Sequence, residues 1–278
     1  MSPAVLCIPD LEIAPDGASA GVWPPGAVMQ RWLDNEGRLV ATGGRLRGRW
    51  WMHWRGLATF WFTEDGAVTA EPAKGATDAE LRDIFVRGVL PTVMLARGFE
   101  ALHASAIIEP SGVVGLCANS GTGKSTISVA LAASGAGHFA DDTLLYRVSG
   151  DRPVASKLPF PIRVDAFARA ALGELPTEAA NATMPSEAPI HRIYHLVRDE
   201  QLDPNRPAFA SLPVSARFEV LLTHAHPFDM GDEDRRRAFI EHLMTLARNV
   251  EVCECRFAPD LAALPSLAES LRDHAAKI

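Results

Sequence analysis

The stretch Ala118-Asn119-Ser120-Gly121-Thr122-Gly123-Lys124-Ser125-Thr126 carries the most specific chemistry in the chain. It fits the Walker A pattern of a phosphate-binding loop, except that Ala118 stands where the first glycine usually does. Glycines 121 and 123 would let successive backbone N–H groups turn inward around a polyphosphate, a helix beginning at Lys124 would add its partial positive charge, and the lysine would reach the outer phosphates. Asn119, Ser120, Gly121, Thr122, Gly123, Lys124, Ser125 and Thr126 are therefore the expected nucleotide-binding residues. The Ser125 hydroxyl is an expected ligand of Mg²⁺. ATP with Mg²⁺ is the expected cofactor pair, although a phosphate loop without a base-specific pocket reads mainly polyphosphate.

Two carboxylates and a histidine extend this chemistry. Asp141 and Asp142 follow the loop closely enough for the next strand of a sheet to bring them to the same edge. Adjacent residues of a strand point to opposite faces, which predicts different jobs. Asp141 is expected to accept a proton from an attacking hydroxyl, and Asp142 to enter the Mg²⁺ shell directly or through water. His103 is singled out by a hairpin: Ala101 to Glu109, the turn Pro110-Ser111-Gly112, and Val113 to Ala118. If Ile108 pairs with Val113, His103 faces the first residue of the loop. There it could hydrogen-bond a carboxylate and tune it as a base.

The elements that must position these groups follow an α/β pattern. An apolar strand, Val113 to Cys117, leads into the loop, and a helix from Lys124 to Ser134 leads out, closed by Gly135 and Gly137. A strand from His191 to Val197, helices from Ser215 to His224 and Asp232 to Ala247, a strand from Val250 to Phe257 and a helix from Leu261 to Ala276 complete the series. Upstream, Thr77-Asp78-Ala79-Glu80 reads as a capped helix start, with Pro91 kinking or splitting that helix. All six tryptophans lie before residue 62, and Arg49 to Trp54 and Ala58 to Phe62 read as neighbouring strands of an antiparallel meander. The expected division is a β-rich region over 1–75 and a nucleotide-binding core over 76–278. Residues 150 to 190 are rich in Pro and Gly and read as loop.

Composition narrows the classes. The chain has 278 residues, 47% of them hydrophobic and 22% charged, which suits a folded globular protein. The net charge of −7 offers no general attraction for nucleic acid or an anionic membrane surface, so neither is an expected partner. No apolar run approaches the roughly eighteen residues that suggest a membrane span. The N-terminus lacks a basic segment followed by an apolar one, and Cys7, Cys117, Cys253 and Cys255 form no CxxC pair, so a cytoplasmic location with reduced thiols is expected. The chain has no Asn-Lys-x-Asp for guanine selection and no LSGGQ-like segment for a transporter ATPase. A kinase acting on a protein or a small substrate is left by these exclusions.

Leu102-His103-Ala104 through Gly123-Lys124-Ser125 to Ala140-Asp141-Asp142 resembles the catalytic domain of HPr kinase/phosphorylase, with similar spacing of histidine, lysine and first aspartate. The resemblance implies a P-loop kinase core like that of phosphoenolpyruvate carboxykinase, using ATP and Mg²⁺ to phosphorylate a serine hydroxyl. It also implies His103 and Asp141 as the proton-handling pair, with Lys124 and Ser125 on phosphate and metal. Members of the family often form homo-oligomers. Three departures stand out: Thr126 occupies a position that is acidic in the family, no later signature loop for dephosphorylation is matched, and the Trp-rich N-terminal region differs from the family's usual one. The layout looks more like HPr-kinase-like proteins of modified-peptide pathways, including lasso-peptide tailoring kinases.

The sequence reading is thus an α/β P-loop kinase with a small β-rich N-terminal part, acting on serine of a peptide or small protein. A small-molecule kinase and a non-catalytic ATP-binding regulator are the alternatives. Lys157, Arg163 and Arg192 are weaker candidates for gripping phosphates or an acidic substrate, with ordinary solvated charges at least as well supported. The pairs His224/His226 and His191/His195 lack a third ligand at metal-binding spacing, which favours structural use. Arg235-Arg236-Arg237 reads as a charged surface turn.

Overall fold

A computed structural model describes residues 7–15, 28–34, 36–159 and 184–277. The fold is mixed α/β, and its contacts divide into two compact units. One comprises Cys7–Phe99 with Phe228–Asp232; the other is built from Glu100–Pro227 and Glu233–Ile278.

The first unit is a six-stranded sheet of β1 (Leu11–Ile13), β2 (Val28–Leu33), β3 (Leu39–Leu46), β4 (Arg49–Trp54), β5 (Ala58–Phe62) and β6 (Val68–Pro72). Its order is β1-β6-β5-β4-β3-β2. Strands β2 to β6 form the antiparallel meander, and β1 adds to β6 in parallel. Trp51, Met52, Phe60, Phe62, Val68 and Ala70 are buried in its core. The capped start at Thr77 is realised: its hydroxyl accepts from Glu80 N–H while the Glu80 carboxylate accepts from Thr77 N–H, opening α1 (Asp78–Ile84). A π-helical turn, Phe85–Val89, then leads into α2 (Leu90–Ala96), with Pro91 in its first turn, where a missing N–H costs little.

This helical stretch corrects the expected boundary at residue 75. Leu81, Phe85, Val89, Leu90, Val93 and Met94 are buried, and Gly88 lies under Trp54 so closely that a Cβ there would come within 2.4 Å of the indole. The helices therefore pack with the meander, and the division falls after Phe99. Strand periodicity could locate the sheet, but a helix with one apolar face could have packed against either part.

The second unit is a nine-stranded sheet of β7 (Glu100–Leu102), β8 (Ala104–Glu109), β9 (Gly112–Cys117), β10 (Gly137–Ala140), β11 (Leu144–Ser149), β12 (Arg152–Ser156), β13 (Glu187–Arg198), β14 (Ala208–Ser211) and β15 (Glu251–Phe257). Strand β13 runs parallel to both β9 and β15, and the other pairings are antiparallel. The helices are α3 (Lys124–Ala133), α4 (Val214–His224), α5 (Glu233–Asn249) and α6 (Leu264–Ala275). Alternate residues of three parallel strands, among them Val114, Leu116, Tyr194, Leu196, Cys253 and Cys255, form one apolar face. Ile127, Ala130 and Leu131 of α3 and Leu264, Leu267, Ala268 and Leu271 of α6 join them in one core. Cys253 and Cys255 are free thiols in this core, pushed up to about 11 and about 12 chiefly by burial, which removes them as nucleophiles at neutral pH.

The hairpin that leads to the loop has the expected register, Ile108 opposite Val113 and Ala104 opposite Cys117. Gly112 closes its turn at φ 128°, with Pro189 O only 2.6 Å from where a Cβ would sit, so a side chain is excluded by both backbone conformation and neighbour.

Two ion pairs, each with one buried member, change the reading of basic residues. Arg192 bonds Glu251 at 2.7 Å and Tyr194 Oη at 3.3 Å, which makes it a core residue and not a substrate grip. Arg235 places two N–H groups on the buried Glu100 carboxylate, at 2.6 and 2.7 Å, while His242 Nδ1 lies 2.9 Å from the same group. The first arginine of the triplet is thus structural, because a carboxylate buried in β7 needs a paired cation. Arg163, with Phe160 to Ile162, lies outside the described residues.

His138 makes the stability of this unit sensitive to acid. It is buried on β10 and pushed down to about 4, first by burial and then by the charge of Lys157. The folded state therefore holds it neutral, whereas an unfolded chain protonates it near 6.5. Its stability contribution is complete above pH 6.5 and is lost as pH falls toward 4, on the order of 3 kcal/mol in total. Denaturant melts between pH 7.5 and 4.5 should show this loss, and His138→Gln should flatten it.

Candidate functional site

The strand–loop–helix unit is formed as its residues dictate. All of β9 is buried, Asn119 to Gly121 are exposed, and α3 begins at Lys124. Gly123 is the residue before the helix and adopts φ 104°, a left-handed conformation open to glycine. No side chain caps this end, so the first-turn N–H groups remain the open donors of a helix start. Ser125 is exposed and Thr126 half-buried in that first turn.

Lys124, His103 and Asp142 come together here. Lys124 Nζ lies 2.8 Å from His103 Nε2, His103 Nδ1 lies 3.3 Å from Asp142 Oδ1, and Lys124 Nζ lies 3.7 Å from the same oxygen. An ammonium donates only, so Nε2 is the acceptor and the ring proton belongs on Nδ1, facing the carboxylate. The lysine is buried, the histidine about one-third exposed and the Asp142 side chain 70% exposed.

Strand pairing explains the meeting. Ala140 of β10 lies opposite Ala106 of β8, and Leu144 of β11 lies opposite Leu102 of β7. Residues 141–143 bend across the interval where His103 separates β7 from β8. This corrects the expectation that both aspartates ride on one strand: they occupy a bend, and Asp142 takes φ 64°, uncommon for a residue with a Cβ. The alternation of faces therefore does not assign their roles. Asp142 carries the contacts to His103 and Lys124; Asp141 is half-buried in the same bend, where its carbonyl accepts from Thr143 N–H.

Three more histidines lie nearby: His224 and His226, placed by the segment that leaves α4, and His195 on β13. His103 N–H donates to His224 O at 2.7 Å, and His226 N–H to Ala101 O at 2.9 Å. This brings the His226 ring edge-on to His103 at 6.0 Å and the His224 ring to 5.6 Å from His195, which lies opposite Cys117 on β13. Burial lowers all three, with His224 down to about 4; neighbouring His103 and Lys124 add to the depression of His224 and His226. At neutral pH they form an uncharged wall. Among the described residues no three His, Cys, Asp or Glu side chains are arranged to hold a metal ion. His191 lies elsewhere, with Nε2 3.2 Å from Ala275 O.

Arg198 also reaches the loop, its Nε donating to Thr122 O at 3.0 Å. Sequence reasoning missed it because it lies far along the chain in no motif. Only the parallel pairing of β13 with β9 brings it to this edge.

No protein family's sequence profile matches the chain. No curated protein matches it either. Among solved structures, that of the HPr(Ser) kinase/phosphatase from Coxiella burnetii is similar at 17% identity, over 64% of this chain and 97% of that one, with a TM-score of 0.37. A likeness of that size is distant and carries no weight for the chemistry. Among the described residues no helix is long and apolar enough to cross a membrane.

Proposed function

We propose that the chain is an ATP- and Mg²⁺-dependent phosphotransferase that moves the γ-phosphoryl group to a hydroxyl. The observation that carries this reading is the contact chain Lys124–His103–Asp142 at the start of an uncapped helix preceded by a glycine-bearing loop. A nucleotide-binding loop needs a cation and open amides, whereas transfer to a neutral hydroxyl also needs a proton acceptor. This edge of the sheet supplies both.

The loop amides from Asn119 to Gly123, except that of Thr122, which donates to Asn119 O at 3.2 Å, the first-turn amides through Thr126 and the Lys124 ammonium would bind the phosphates. The Ser125 hydroxyl, with a carboxylate of the 141–142 bend, would hold Mg²⁺. Magnesium typically uses one or two protein carboxylates and takes its remaining ligands from phosphates and water, so a dedicated cage is not required. When bound, the nucleotide and its metal supply the transferable phosphoryl group and neutralise charge on it.

His103 is the proposed proton acceptor, with Asp142 holding the ring in the tautomer that leaves Nε2 basic. In the structure Lys124 occupies that nitrogen, so the lysine must turn toward phosphate before His103 can receive a proton. Asp141, assigned the acceptor role by the sequence, is the rival carboxylate. The acceptor substrate follows from the sequence resemblance alone: serine of a peptide or small protein, with a small-molecule hydroxyl as the alternative.

The test is calorimetric titration with MgATP, followed by mass spectrometry of candidate peptides and small molecules incubated with the chain and γ-labelled ATP. Heat of binding and label on an acceptor hydroxyl are expected. Binding without transfer to any acceptor or to water would favour a nucleotide-binding regulator.

A further inference from the structure

We infer that Arg198 is a second cation of the phosphate site, anchored by the loop's own backbone. This rests on the phosphotransferase reading above and adds to it a ligand-contacting residue that no loop motif contains. Arg198 ends β13, and His195, three residues earlier, lies opposite Cys117 at the end of β9. Parallel pairing therefore delivers Arg198 beside the loop that follows β9.

The side chain is fixed at its base and free at its tip. Nε donates to Thr122 O at 3.0 Å, and Nη2 lies 3.8 Å from where a Cβ on Gly123 would sit. The guanidinium thus lies across the residue immediately before Lys124. Among the described residues its outer nitrogens make no hydrogen bond or ion pair, and Arg198 is exposed. The neighbouring Asp199 does not neutralise it, because that carboxylate pairs with Arg256 at 3.1 Å.

A tether alone could be built from any N–H donor. What this position adds is a planar cation whose remaining donors match phosphate oxygens. Because the Nε bond already restricts the side chain, little further conformational freedom is lost when those donors meet an anion.

Inorganic tripolyphosphate and MgATP, titrated calorimetrically into the full chain, test this. Arg198→Gln keeps an N–H donor for the Thr122 carbonyl and removes the charge; Arg198→Lys keeps the charge; Arg198→Ala removes both. Alanine and glutamine should each weaken tripolyphosphate binding by about tenfold or more, the scale of a hydrogen bond to a charged group, with lysine recovering part of the loss. The difference from wild type should shrink as salt is raised. Thermal midpoints should match across all four proteins, because the residue is exposed.

A glutamine variant that binds like wild type would reduce Arg198 to a tether and overturn the inference, as would three variants all equal to wild type. Those outcomes leave the phosphate loop standing. Wild-type protein that binds neither tripolyphosphate nor MgATP would instead remove the loop reading and this inference together.

Discussion

Lys124→Ala should lower the rate of phosphoryl transfer by about two to three orders of magnitude or more, the scale seen when a fixed donor to developing charge is removed. The lysine is buried at the helix start beside an uncharged histidine wall, so its ammonium is a fixed positive charge whose recorded carboxylate neighbour is the exposed Asp142 at 3.7 Å. Single-turnover transfer at saturating MgATP, beside calorimetric affinity, would separate loss of chemistry from loss of binding. An independent readout needs no acceptor. Lys124 helps to hold His224 and His226 below their ordinary range, so their ring resonances in NMR titrations should move to higher pH in the variant. Undiminished transfer together with unshifted histidines would take Lys124 out of the mechanism.

The second large effect concerns the proton. His103→Ala and Asp142→Asn should each slow transfer by about two to four orders of magnitude, the usual scale of general acid–base help, and His103→Ala should do so with little change in MgATP affinity. Because the two side chains act as one unit through the Nδ1–carboxylate contact, the double variant should be no slower than the worse single one. Asp141→Asn decides between the carboxylates. A small effect there, with a large one at Asp142, supports the pair seen in the structure. The reverse pattern would return the acceptor role to Asp141, as its place in the sequence suggested.

The strand–loop–helix unit around Lys124 was legible because its requirements are local. Glycine at 121 and 123, lysine at 124, serine at 125, an apolar run before and a helix-forming run after are conditions on neighbouring residues, and the structure forms that strand, loop and helix in order. The hairpin register was legible for the same reason, since a tight turn at 110–112 leaves few ways to pair Ile108. The aspartates were placed correctly along the chain and wrongly in conformation. Strand propensity around His138 to Tyr146 does not reveal that the chain breaks pairing between Ala140 and Leu144.

Local chemistry, then, determined that a glycine-bearing loop joins a buried strand to a helix, that an α/β core surrounds it and that an aromatic meander precedes it, because turn, cap and periodicity depend on residues close in sequence. Tertiary structure decided the rest. It attached the 78–96 helices to the meander, put Asp142 on His103, buried Arg192 beside Glu251, set Arg235 on the buried Glu100 carboxylate and carried Arg198 to the loop. Each of these depends on which strands become neighbours and which charges lose water, and those are properties of residues that meet only when the chain has folded.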